Sequence, residues 1–186
     1  TTINSSVLIG TNSFGAGVAL STVGNVNFFM SSNTLAAGAR GAGIYLNGRH
    51  RGLLSISTNT IREGPQYGIF ISTQGTGTKV VLTSNTVVVQ VSAGWNTYGI
   101  YLDGLTTGAT IQNNGIFYRG SGAAASTYGL YVKSAAGLLI DHNRIGQPGV
   151  LTGGNFSGAY FAGVTMSEFK FNDVLGAGSG MANAYL

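Results

Sequence analysis

The sequence has no cysteine, two prolines in 186 residues, and few charges: nine Lys or Arg and five Asp or Glu. Without thiols, a disulfide-stapled scaffold and a thiolate metal centre are both excluded. Charged residues make up 8% of the chain, against roughly 25% in an ordinary soluble domain. The chain is nevertheless not of a disordered type, because 44% of it is apolar and disorder needs low hydrophobicity with high charge. No run of 18 apolar residues occurs, so no membrane-spanning helix is expected. The chain does not open on the charged-then-apolar pattern of a secretory leader. Its net charge of +4 is scattered, densest at Arg49, His50 and Arg51. A nucleic-acid partner would call for far more positive charge on one face, so none is expected. So little charge leaves little repulsion between copies, a first pointer to assembly.

What is plentiful is glycine, 31 residues, and asparagine, 15. Much of the asparagine belongs to a repeated word: apolar, two residues, Asn, one residue, apolar. The word runs Ile9 to Phe14 (IGTNSF), Met30 to Leu35 (MSSNTL), Ile56 to Ile61 (ISTNTI) and Leu82 to Val87 (LTSNTV). It continues through Ile111 to Ile116 (IQNNGI), Ile140 to Ile145 (IDHNRI) and Phe169 to Val174 (FKFNDV). The column is Asn12, Asn33, Asn59, Asn85, Asn114, Asn143 and Asn172, with spacings of 21, 26, 26, 29, 29 and 29. A second word, Gly-apolar-aromatic-apolar, falls between the first ones at Gly43 to Leu46, Gly68 to Ile71, Gly99 to Leu102 and Gly129 to Val132. Weaker copies stand at Gly17 to Leu20, Gly158 to Phe161 and Ala184 to Leu186.

Each repeat holds three short alternating segments, and no segment keeps a helical stripe. Repeats of 21 to 29 residues with three strands each predict one all-β domain over 1–186, a parallel solenoid of about seven coils. At roughly 4.8 Å per layer the rod is about 34 Å long. The expected inward positions include Ile44/Leu46 and Ile100/Leu102 on the first strand, and Val7/Ile9 and Leu54/Ile56 on the second. Phe14, Leu35, Ile61 and Val87 are expected on the third. The Asn is expected to take the left-handed conformation at a corner between strands. Its amide is expected to hydrogen-bond to the Asn of the next layer, as in cross-β ladders.

This double-word repeat resembles the right-handed parallel β-helix superfamily, whose members include pectate lyases, phage tailspikes and surface adhesins. The resemblance covers nearly the whole chain and implies an extracellular or cell-surface setting. Its motifs are architectural and carry no chemistry of their own. Members that cleave polysaccharides place acidic residues, often with Ca²⁺, Arg or Lys, on the outer face of the first strand and its turns. The carboxylates here are Glu63, Asp103, Asp141, Glu168 and Asp173. Repeat register sets Asp103 against Lys133, Asp141 against Lys170 and Arg144 against Asp173, which reads as salt bridging between layers. Glu63 and Glu168 stand about 19 Å apart along the rod, too far for a glycosidase pair of about 5 to 9.5 Å. His50, between two Arg, and His142, beside Asp141, lack partners for a triad or a metal cluster. Gly120 to Ala125 reads as a turn. No catalytic group, metal site or cofactor is expected.

Outside the first strand, Tyr45, Phe70, Tyr101, Tyr131, Tyr160 and Tyr185 share one column, and Tyr67, Tyr98 and Tyr128 form a shorter one. Three readings stay open: a ladder that stabilises the rod, an interface stripe, or a platform for sugar stacking. The terminal words are strand words without a capping helix, so the ends are expected either to come from a longer β-helix or to stack on other copies. The functional expectation is a non-enzymatic extracellular structural protein stacking end to end into a filament or surface fibre, its partner a second copy. The alternative is a carbohydrate-binding or polysaccharide-cleaving β-helix, such as a tailspike, adhesin or lyase fragment, with a cell-surface glycan as partner.

Overall fold

The computed structural model describes residues 2–4, 6–9, 15–25, 27–38, 40–64, 66–73, 77–91, 94–119, 126–146, 155–175 and 181–185. Among them there are twenty strands and no helix, so none is long and apolar enough to cross a membrane. All strand pairs are parallel, and each strand pairs with its counterpart one repeat away. The chain is a parallel β-solenoid.

Three stacks make up the rod. The first runs through Val18–Asn25, the start of Ala42–Ser57, Tyr67–Thr73, Thr97–Asp103, Ser126–Ala136, Asn155–Thr165 and Met181–Tyr185. The second holds Thr2–Asn4, Phe28–Ser31, the end of Ala42–Ser57, Thr78–Thr83, Ala109–Gln112, Leu138–Asp141 and Glu168–Lys170. Val7–Ile9, Thr34–Ala36, Thr60–Gly64, Thr86–Gln90, Gly115–Arg119, Arg144–Gly146 and Asp173–Val174 form the seven-stranded third. Ala42–Ser57 crosses from the first stack to the second as one strand and joins them into a thirteen-stranded sheet. Five turns from Ala42 to Val174 are complete, a sixth lies below them at Val18–Ala36, and partial turns stand at either end, in place of seven equal coils.

The inward columns form one core. Ile44, Leu46, Ile69, Ile71, Ile100, Leu102, Leu130 and Val132 are buried from the first stack, and Leu54, Ile56, Val80, Leu82 and Ile111 from the second. Leu35, Ile61, Val87, Ile116 and Ile145 close it from the third. Parallel stacking sets like on like, Ile100 on Leu130 and Ile111 on Ile140, so each layer buries the next and none could fold alone.

The first coil departs from the expected register. Val7–Ile9 belongs to the third stack, with Leu8 opposite Leu35, and Thr2–Asn4 supplies the second, with Ile3 opposite Met30. Asn12 and Phe14 lie outside the described residues, and the place facing Asn33 is taken by Ser6, whose N–H donates to Asn33 Oδ1 at 2.9 Å. A three-residue apolar run carries no register of its own: a one-residue slip turns every side chain over, and Val7-Leu8-Ile9 is apolar either way.

The Asn corner works differently from expectation too. The left-handed residue is the one before each ladder Asn: Ser32, Thr58, Ser84, Asn113, His142 and Phe171, with φ between 52° and 57°. The Asn itself folds inward and binds the corner shut. Asn59 Nδ2 donates to the Ser57 carbonyl at 3.0 Å, Asn114 to Gln112 at 3.0 Å and Asn143 to Asp141 at 3.1 Å. The strain of a non-glycine left-handed residue is held by the amide that follows it.

Candidate functional site

The Asn ladder is continuous over six layers. Asn33, Asn59, Asn85, Asn114 and Asn143 each donate from backbone N–H and from Nδ2 to the Oδ1 of the next Asn, ending at Asn172, at 2.9 to 3.1 Å. Each Nδ2 from Asn59 onward also reaches an inward residue's carbonyl one layer back, as Asn85 does to Ile56 at 2.9 Å and Asn143 to Ile111 at 2.7 Å. These buried amides have every group bonded, the condition under which a buried polar network specifies structure. The ladder is architecture, with no side-chain atom turned outward to a ligand.

The aromatic slab is the most distinctive outer surface. Tyr45, Phe70, Tyr101, Tyr131 and Tyr160 face one another in register, and the backbone of Tyr185 pairs with that of Tyr160. Ring centroids are 4.7 Å apart for Tyr45–Phe70, 4.9 Å for Phe70–Tyr101, 5.2 Å for Tyr101–Tyr131 and 4.9 Å for Tyr131–Tyr160. Their planes lie within 11° of parallel. The second column stacks likewise, Tyr67 on Tyr98 at 5.0 Å and Tyr98 on Tyr128 at 5.2 Å. The columns meet edge to face, at 5.3 Å for Tyr98–Tyr101 and 5.0 Å for Tyr128–Tyr131.

Strand alternation alone would put Tyr98 and Tyr101 on opposite faces, since they are three apart. Both point outward because two buried residues, Gly99 and Ile100, lie between them. The strand bends at the glycine, which packs into the corner against Ile116. Stacking along the rod uses both faces of the inner rings, so edges and phenol oxygens, not ring faces, meet solvent. Burial, then the neighbouring Tyr98 and Tyr45, pushes the Tyr67 phenol up to about 12. Burial followed by nearby Asp103 does the same for Tyr101. Burial also raises Tyr98 and Tyr131. Tyr67, Tyr98, Tyr101 and Tyr131 therefore hold their phenolic protons more tightly than free tyrosine does.

Two of the expected salt bridges form, Asp103–Lys133 at 3.7 Å and Arg144–Asp173 at 3.8 Å. The third does not. Lys170 lies opposite Asp141 in register but bonds Glu168 at 2.6 Å, because residues two apart share one face of a strand. Asp141 instead contacts His142 Nδ1 at 2.6 Å, with Gln112 Nε2 at 3.4 Å. The side chain of Glu63 lies outside the described residues. His50 is buried within Ala42–Ser57. Gly48 and Gly52, at φ of 137° and 113°, let that strand turn the corner without a loop, and His50 falls on its inner side. Burial lowers its affinity for a proton. No group of three or more His, Asp or Glu sits together among the described residues.

The third stack's outer surface is not legible in the two repeated words. Two shallow grooves there, of about 380 and 360 Å³, share Val88 and Arg119. Thr34, Thr60, Thr86, Gly115 and Arg144 form one outer column. A side chain at Gly115 would meet the Phe117 ring at 2.7 Å, so the ring lies across the place that Thr86 and Arg144 fill in neighbouring layers. Arg119 and Arg144 line the groove that holds the ring, and Arg62 lines the adjoining one. The glycine interrupting the Thr column beside an aromatic was the available signal. Arg40, 4.6 Å above the Trp95 ring, had none, being 55 positions away.

Compared with protein-family models, with curated proteins and with solved structures, the chain matches none. The architecture is that of a β-helix. No relative ties it to the pectate-lyase-like superfamily.

Proposed function

We propose that this chain is a non-enzymatic structural protein of the cell surface or extracellular space, a β-solenoid that stacks end to end into a filament or fibre. The observation that carries the reading is the last complete layer. Phe169 stands at an inward position of the second stack yet is 36% exposed, Leu175 is 44%, Phe171 73% and Met166 85%. An apolar groove of about 340 Å³, lined by Ile140, Phe161, Val164, Met166 and Phe169, opens beside them. Among the described residues, Glu168–Lys170 and Asp173–Val174 pair on one side only, as do Thr2–Asn4 and Val7–Ile9 at the other end. Parallel layers carry the same polarity at both ends, so the top of one copy fits the bottom of the next and the contact propagates. Burial at roughly 25 cal/mol per Å² of apolar area favours the contact, and low net charge opposes it little.

The test is particle mass and length across the micromolar range, for the parent and for Phe169→Lys. The parent is expected to lengthen into rods of constant width and the variant to stay short. A parent that remains one chain in size at every concentration overturns the proposal.

A second reading, carbohydrate binding, is supported by the arginine-flanked groove around Phe117. An acidic glycan retained by the parent and released by Arg119→Ala would favour it.

A further inference from the structure

We infer that the double tyrosine column is a site of oxidative cross-linking, where one-electron oxidation joins tyrosines of adjacent coils as dityrosine and staples the rod along its length. The inference is independent of end-to-end assembly, because every bond it names lies within one chain.

Six phenols form one continuous cluster. Tyr67, Tyr98 and Tyr128 stack in one column and Tyr101, Tyr131 and Tyr160 in the other, with centroids of 4.9 to 5.2 Å between successive layers. Edge contacts of 5.0 to 5.8 Å tie the columns together, among them Tyr67–Tyr101, Tyr98–Tyr131 and Tyr128–Tyr160. All six rings are only partly buried, so an oxidant reaches their edges. A radical formed at one ring already has a second phenol beside it, and proximity of this kind replaces a slow bimolecular encounter.

The chemistry balances. Each of two tyrosines gives up one electron and its phenolic proton. The two radicals form a carbon–carbon bond between ring positions ortho to oxygen, and the ortho hydrogens return to the oxygens as the rings regain aromaticity. Two electrons and two protons leave per bond. Hydrogen peroxide, working through a haem peroxidase, accepts them and is reduced to two waters.

Two aromatic residues set the limits of the site. Tyr45 belongs to the same column, but its stacking partner is Phe70, which has no phenol to oxidise. Tyr118 is fully buried in the core against Phe156. Tyr118 should therefore stay out of the cross-links, and Tyr45, partly exposed like the six and near Tyr67 but with no ring contact to it among the described residues, should link far less often than they do.

The experiment treats dilute chain with a haem peroxidase and hydrogen peroxide, under conditions that couple free tyrosine, and repeats it on Phe169→Lys so that assembly does not enter. After denaturation and trypsin digestion the layers separate: Tyr45 lies between Arg40 and Arg49, Tyr67 between Arg62 and Lys79, and Tyr98 with Tyr101 between Lys79 and Arg119. Tyr128 and Tyr131 lie between Arg119 and Lys133, and Tyr160 between Arg144 and Lys170. Expected are dityrosine fluorescence in single chains, a mass lower by two hydrogens per bond, and linked peptides only from adjacent layers. Links among the six should exceed those at Tyr45 by at least about tenfold. Phe70→Tyr, which keeps the ring stack, should add a link to Tyr45. Tyr98→Phe should lose the Tyr67–Tyr98 link while keeping those between Tyr67 and Tyr101 and between Tyr131 and Tyr160. No dityrosine in single chains, dityrosine confined to covalent dimers, or equal labelling of Tyr45 in the parent would overturn the inference.

Discussion

Asn85→Leu should destabilise the rod by about 3–5 kcal/mol. Asn85 donates its N–H and Nδ2 to Asn114 Oδ1, donates Nδ2 to the Ile56 carbonyl, and accepts at Oδ1 from the N–H and Nδ2 of Asn59. Leucine has nearly the same volume but leaves the Asn59 N–H and the Ile56 carbonyl buried without these partners. Each such group costs roughly 1–3 kcal/mol. Urea denaturation measures the change. Asn96→Leu, on an exposed residue, is the control and should stay within about 0.5 kcal/mol. Equal effects at the two sites would mean that the ladder holds nothing together.

Gly99→Ala is the second large effect. A methyl group there would collide with Ile116 Cγ2 and stand 2.6 Å from the Gly129 carbonyl oxygen. The same collisions face Gly43, with the Gly68 oxygen at 2.8 Å, and Gly68, with the Gly99 oxygen at 2.5 Å. The second word of the repeat begins with glycine because the strand must bend there while another layer's backbone passes close by. Overpacking a rigid site of this kind costs about 3 kcal/mol, at the upper end of small-to-large changes. Trimming the neighbour, Ile116→Ala, relieves the side-chain contact but not the carbonyl, so the double variant should recover little. Full recovery would show that side-chain crowding alone selects glycine. Loss at Gly99 should also disturb the Tyr98–Tyr101 edge contact, since the bend sets the two columns side by side.

Most of the rod is legible in the residues. Columns such as Ile44, Ile69, Ile100 and Leu130 are apolar because neighbours a layer apart face the same core, and their spacing marks the layer. The Asn column is legible for the same reason. Other features depend on geometry that spacing does not carry. Val7-Leu8-Ile9 fits either of two registers, and only pairing with Leu35 chooses between them. The left-handed residue is Ser32 or Thr58 rather than the adjacent Asn, since the amide is more useful turned inward than the backbone is strained. Lys170 has two acidic neighbours within reach, and a partner on its own strand wins over one on the next. His50 sits in a polar stretch, Arg49 to Arg51, yet two glycines let the strand turn it into the core. The tyrosine columns were evident as columns. That their rings lie face to face along the rod, leaving edges outward, is a matter of side-chain rotation that no spacing records.

A buried, fully bonded Asn ladder runs through the rod and locks its coils in register. Hydrogen exchange of side-chain amides, read by NMR on ¹⁵N-labelled protein, tests it most directly. Asn33, Asn59, Asn85, Asn114 and Asn143 are each no more than 2% exposed, and exchange of their NH₂ groups requires opening of the layers. The expected result is five protected side-chain amides while those of exposed Asn27, Asn96 and Asn113 exchange at once. Rapid exchange of Asn85 and Asn114 along with the surface residues would mean that no such ladder locks the coils.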